Sequence, residues 1–214
     1  MTTKNEVLLE GLVLAEPEWS HENHGNQFYR VTLQVPRLSG QVDVLPLLAP
    51  GALAAQTAPG RLLRVRGQLR SFNNRSGVGS RLVLTVYAQE FQPGLDEACN
   101  QITLAGALCK PPVFRRTPLG RSICDLMLAV PRRYGRADYL PVIAWGQLAV
   151  KASRLQVGDP LALEGRVQSR TYYKNLDSGE TEERVAYEVS VMRLLDGAEL
   201  EETETAAAVK GPSA

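Results

Sequence analysis

Five aromatic rings in the later half of the chain, Tyr134, Tyr139, Trp145, Tyr172 and Tyr173, are interleaved with cations. The cations are Arg115, Arg116, Arg121, Arg132, Arg133, Arg136, Lys151, Arg154, Arg170 and Lys174. Flat rings stack on planar groups, and cations neutralise a polyanion. Strand parity sharpens the pattern. In DYLPVIAW, Tyr139, Pro141 and Ile143 alternate with Leu140, Val142 and Ala144, and Trp145 shares the parity of Tyr139. Tyr172 and Tyr173 are adjacent, so only one of them points outward on a regular strand. Any one ring taken alone reads equally as sheet packing, and any one arginine as a solvated side chain. Their conjunction near strand ends and hairpins favours a binding surface.

The residues needed for catalysis are missing. His21 and His24 are the only histidines, in the polar turn SHENHGN, and no third ligand stands at fixed spacing, so no metal site is expected. No Gly-rich loop ends in Lys-Ser/Thr, no serine lies in G-x-S-x-G, and no cysteine has a histidine partner in view. The reading is of a non-enzyme without a cofactor. Cys99, Cys109 and Cys124, an odd count without C-x-x-C spacing, read as reduced. The opening MTTKNEVLLEG lacks a basic region followed by an apolar stretch, and no apolar run approaches the ~20 residues that span a bilayer. A cytoplasmic location, with no membrane partner, is expected. The net charge of +1 argues neither for nor against a polyanion.

The elements that must position these residues come from a repeat. Residues 43 to 54 read DVLPLLAPGALA and residues 138 to 149 read DYLPVIAWGQLA. The match begins at Asn5 and Asn100 and carries Leu9 onto Leu104, Gly11 onto Gly106, and Val35-Pro36-Arg37 onto Val130-Pro131-Arg132. It resumes with Gly60, Gly67 and Ser71 against Gly158, Gly165 and Ser169. Units this long are domains rather than solenoid turns. We place a first domain at 1–94, a second at 95–197 and a disordered acidic tail at 198–214. The junction QPGLDEACN is short, so the domains should pack rather than swing.

Within the second copy, ITLAGALC, SICDLMLAVP and DYLPVIAWG read as strands, QLAVKASRL as a short helix, and LALEGRVQSRTYY and RVAYEVSVMRLL as two more strands. Gly165 inside a strand marks a bend or bulge. Three strands, a helix and two strands is the order of a five-stranded Greek-key barrel, the OB-fold. The fold class is therefore all-β with one short helix per domain, as two tandem OB-fold barrels.

The second copy resembles the bacterial single-stranded DNA-binding protein family. The matching series runs Asn100-x-x-x-Leu104-x-Gly106, Pro112-Val-Phe-Arg115-x-Thr117-Pro118-x-Gly120, Leu128-Ala129-Val130, the Tyr139–Trp145 strand, Gly158-Asp159 and Glu164-Gly165-Arg166-Val167-Gln168-Ser169-Arg170-Thr171-Tyr172. The resemblance implies single-stranded DNA binding without sequence preference and an assembly of four OB domains, here through a homodimer. It also implies stacking aromatics at the positions held by Tyr139, Trp145 and Tyr172, with Tyr134 as a looser match. Arg115, Arg116, Arg132, Arg133, Lys151, Arg170 and Lys174 are the candidate phosphate contacts.

Two departures stand out. The chain ends in VKGPSA rather than the family's Pro-Phe tip, which puts tail-mediated recruitment of other proteins in doubt. The first copy holds Val44, Pro50 and Asn74 where the second has Tyr139, Trp145 and Tyr172. It also opens with Glu6, Glu10, Glu16, Glu18 and Glu22, which would repel phosphates. Its rings Trp19, Phe28, Tyr29 and Phe72 lie elsewhere, and Arg64, Arg66 and Arg70 fall on one strand face. The first domain reads as a degenerate copy. The alternative to DNA binding is an OB scaffold or protein-interaction module. RNA also stays open as a ligand, since an OB surface stacks either nucleic acid.

Overall fold

The computed structural model describes residues 3–74, 80–175, 179–197 and 199–200. The first unit runs β1 (Lys4–Val13), β2 (Glu18–Asn23), β3 (Asn26–Pro36), β4 (Val42–Pro50), α1 (Gly51–Ala54), β5 (Leu62–Asn73) and β6 (Leu82–Pro93). The second repeats the order: β7 (Asn100–Leu108), β8 (Val113–Arg116), β9 (Ser122–Pro131), β10 (Ala137–Trp145), α2 (Gly146–Ala152), β11 (Pro160–Asn175) and β12 (Thr181–Leu195). A single 3-10 turn, Arg133–Gly135, precedes β10. The short strands β2 and β8, each hairpinned to the strand that follows, add to the five expected per barrel.

Alternation builds each wall. In β4, Leu45, Leu47 and Ala49 face inward while Val44, Pro46, Leu48 and Pro50 face outward. Burying each such leucine contributes roughly 1.5–3 kcal/mol. Each barrel closes by pairing its first long strand with its third element: β1 with β3 at Leu12↔Gln34, and β7 with β9 at Leu108↔Leu128. The bulge expected at Gly165 is present, and the first copy repeats it beside Gly67. A Cβ on Gly165 would stand 2.4 Å from the Ser190 carbonyl oxygen, and one on Gly67 would stand 2.2 Å from that of Tyr87. Only glycine lets the crossing backbones approach this closely. Asn5 and Asn100 open the two copies for one reason. The side chain of Asn5 bonds both the N–H and the carbonyl of Leu69, and that of Asn100 does the same to Val167.

The two barrels are fused edge to edge. β1 pairs antiparallel with β7, from Lys4↔Ala105 to Leu9↔Asn100, giving one twelve-stranded sheet. A reciprocal clasp secures the joint. Asp43 of the first barrel is fully buried and accepts the Ser169 N–H at 2.7 Å and the Arg37 Nε–H at 2.6 Å. Asp138 of the second barrel, equally buried, accepts the Ser71 N–H at 2.7 Å, Arg70 at 3.0 Å and both ends of the Arg132 fork. The repeated Asp of the two phrases thus reaches across the joint into the other copy, beyond any need of its own strand.

The connection between barrels is held as well. Glu10, buried in β1, accepts the backbone N–H groups of Leu95 at 3.1 Å and Glu97 at 2.7 Å, and pairs with Arg64 at 2.9 Å. Glu10 therefore serves the linker and has no free charge to repel a phosphate. Of Arg64, Arg66 and Arg70, which fall on one strand face, Arg64 and Arg70 are engaged by Glu10 and Asp138. In the stretch assigned to a tail, Glu199 and the buried Leu200 still belong to a helical turn. Glu199 pairs with Arg193 at 3.1 Å, and the Leu200 N–H bonds the Asp196 carbonyl. Residues 201–214 lie outside the described residues.

Candidate nucleic-acid interface

β10 sets the geometry of the second barrel's outer face. Leu140, Val142 and Ala144 fill the core, so Tyr139 and Trp145 are turned out, 50% and 38% exposed. Six residues of extended chain place them about 20 Å apart on one face. Pro141 and Ile143 lie between them, with Ile143 almost fully covered. Trp145 lines an open hollow of about 490 Å3 with Gly120, Arg121, Ser122, Gln147 and Val150. Lys151 is exposed on α2 one turn beyond Gln147. At the other end of the strand, the Tyr139 N–H bonds the Ser71 hydroxyl of the first barrel at 2.7 Å. This predicted stacking ring therefore stands at the joint between barrels.

The remaining predicted residues divide into three groups. Tyr172, Arg170 and Lys174 lie on the β11–β12 hairpin, where Arg170 sits over the Tyr172 ring at 5.8 Å and also approaches Glu188 at 3.8 Å. The adjacent rings point to opposite sides, as strand alternation requires, and Tyr172 is the half-buried one. Tyr173 is 68% exposed on the opposite side, its hydroxyl pKa pushed up by a hydrogen bond to Glu183. Arg115 and Arg116 lie on β8. Arg115 is bidentate to Asp125 at 2.7 and 3.2 Å, an exposed pair that raises its pKa, whereas Arg116 is exposed. The third group is the loop before β10. Tyr134 is 95% exposed on a left-handed backbone (φ 62°), a conformation that costs a bulky residue roughly 1–3 kcal/mol, and Arg133 beside it is exposed. Arg132 differs. Its guanidinium is fixed by Asp138 and the Ser71 carbonyl, which makes it a part of the clasp.

The outer face of the first barrel is not bare. Phe28 is paired with Pro50, and Tyr87 with Leu48 and Gln68, so the rings sit one strand away from the positions of Trp145 and its neighbours. His21 stacks on Phe28 with centroids 5.0 Å apart, and Phe28 meets Tyr87 at 6.3 Å. Sequence comparison by position misses this ladder because its rings come from β2, β3 and β6. Alternation within each strand was the available signal.

This double barrel has close counterparts. A single-stranded DNA-binding protein 1 of Clostridium acetobutylicum is 33% identical over 81 residues, which cover 34% of this chain and 74% of that protein. The chain belongs to the single-strand binding protein family. The family's sequence pattern matches residues 99–195, the second barrel. A single-stranded DNA-binding protein of Thermus aquaticus is 39% identical over 108 residues, 48% of this chain and 39% of that protein. The chain thus spans about two fifths of that curated relative's length. The wild-type Thermus aquaticus crystal structure superposes with a TM-score of 0.73 at 27% identity, covering 91% of this chain and 93% of that one. The family's likeness therefore extends in three dimensions over both barrels.

Proposed function

We infer that the chain binds single-stranded DNA without sequence preference and shields it during replication, recombination or repair. The observation that carries this reading is the outward pair Tyr139 and Trp145 on one strand face of an OB barrel. Neither ring's exposed face has a packing role, and a stacked base would cover it. Stacking contributes roughly 1–3 kcal/mol per base. Tyr172 and Tyr134 extend the row of platforms, and Arg116, Arg133, Lys151, Arg170 and Lys174 supply phosphate contacts. Five such contacts give a log–log salt slope of about −3.5. The relatives bear the name single-stranded DNA-binding protein, which supports the same ligand. The functional units are 1–94 and 95–197, and two chains together would present four OB domains as a homodimer in the cytoplasm, on the nucleoid. Arg132 leaves the list of DNA contacts and becomes a positioning residue for the loop that carries Tyr134.

Titration with poly(dT), followed by tryptophan emission over a salt series, tests the reading. Binding should quench emission and weaken with salt, and Trp145→Ala should lose much more affinity than Trp19→Ala. Equal losses would overturn the assignment to the second barrel, and unquenched emission with no salt-sensitive binding would overturn the function. Competition between matched DNA and RNA oligomers separates the two nucleic acids.

A further inference from the structure

We propose that the two end strands of the twelve-stranded sheet, β2 and β8, dock on each other between successive copies of this chain, joining them head to tail along one single strand. This rests on the reading of the chain as a single-stranded DNA binder and adds a chain-to-chain contact to it. Strand order leaves β2 and β8 at the two ends of the sheet. Among the described residues β2 pairs only with β3, and β8 only with β9. The repeat carries Trp19 onto Phe114, so each end strand holds one ring at the same place. Trp19 lies opposite Tyr29, which packs on the core, and Phe114 lies opposite the buried Cys124. Residues directly opposite share a face, so both rings lie on the side away from Tyr139 and Trp145. They are 62% and 42% exposed, Val113 beside Phe114 is 58% exposed, and the proposed DNA contacts make no use of them.

Charge selects the occupant. At the β2 end, Glu16, Glu18 and Glu22 are exposed and form no ion pair among the described residues, and no Lys or Arg lies between residues 14 and 29. The β8 end is the reverse. Lys110, Arg116 and Arg121 are exposed and form no ion pair among the described residues, and no Asp or Glu lies between residues 98 and 124. Two β2 ends repel, as do two β8 ends, and only unlike ends attract. The contact is therefore heterologous, and copies laid in a row repeat it without closing. The extra residue Ser20 interrupts the β2 register, and both end strands are short and charged, which blunts strand addition between free chains. The contact is then weak in solution. It takes effect where neighbouring sites on one strand hold the two ends at an effective concentration of about 1 mM.

The test uses the full chain and oligo(dT) of two lengths. One is about 12 nucleotides, within the reach of a single OB fold, and the other about 90, with room for several chains. Wild type should fill the long oligomer in clusters, with a cooperativity factor of about tenfold or more in gel-shift titration. Glu18→Lys with Glu22→Lys, both exposed and outside the proposed DNA contacts, should bind the short oligomer at least as tightly as wild type and lose that cooperativity. Trp19→Ala should lower it with the charges intact and leave affinity for the short oligomer unchanged. A carbodiimide, which joins carboxylates to amines without a spacer, should couple Lys110 of one chain to Glu16, Glu18 or Glu22 of the next on the long oligomer. Mass spectrometry of mixed isotope-labelled and unlabelled chains reads the link. Non-cooperative filling by wild type, or equal cooperativity in wild type and the double variant, with the short oligomer still bound, would overturn the contact and leave the proposed function standing. A wild-type chain that binds neither length would overturn both.

Discussion

Asp138→Asn probes the joint between barrels. The carboxylate is fully buried and accepts from the Ser71 N–H, Arg70 and the Arg132 fork. An amide at this place keeps one acceptor oxygen and turns an NH2 toward donors. Breaking a buried ion pair from one side costs about 3–5 kcal/mol. Both arginines retain some contact with water, with side chains 23% and 20% exposed, so the lower end, about 3 kcal/mol, is expected. That is a large share of the roughly 5–15 kcal/mol that stabilises a typical domain. Urea unfolding followed by far-UV dichroism and tryptophan emission measures the loss and shows whether the barrels still melt together. Asp43→Asn should cost somewhat less, because Arg37 is its only ion-pair partner among the described residues. Asp125→Asn is the control: its pair with Arg115 is 50% and 41% exposed, so it should cost under about 1 kcal/mol. A loss in Asp138→Asn no larger than in Asp125→Asn would refute the clasp.

Other outcomes follow from the same geometry. Gly165→Ala drives a Cβ to 2.4 Å from the Ser190 oxygen and should cost about 1–3 kcal/mol in thermal or urea unfolding; unchanged stability would mean that the crossing strands part easily. Burial pushes the Glu10 carboxyl up, but the N–H groups of Glu97 and Leu95 and the Arg64 guanidinium outweigh it and hold it below the ordinary carboxylate range. Its stabilising effect is complete above the unfolded value of about 4.3 and is lost as pH falls through the lower folded value. Glu10→Gln should therefore flatten the fall of stability below about pH 4.3, and an identical pH profile would remove Glu10 from the linker's support.

Much of this architecture is legible in the chain. The alternation of Leu140, Val142 and Ala144 against Tyr139 and Trp145 announces both the wall and its outer rings. Glycines aligned in two copies announce the bulges. What escapes is long-range pairing. Asp43 and Asp138 read as strand residues because their partners, Ser169 and Ser71, belong to the other copy. The signal was present all the same: the arginine of Val-Pro-Arg, the aspartate and the serine all recur in both copies. Arg132 was read as a free cation for that reason, and the rings of the first barrel escaped because their neighbourhood is made by three strands.

The reciprocal clasp and the antiparallel β1–β7 seam relate the barrels by an approximate two-fold rotation. A thread laid straight across such an axis keeps its own chemical direction while the surface beneath it reverses. It meets one barrel from the 5′ side and the other from the 3′ side.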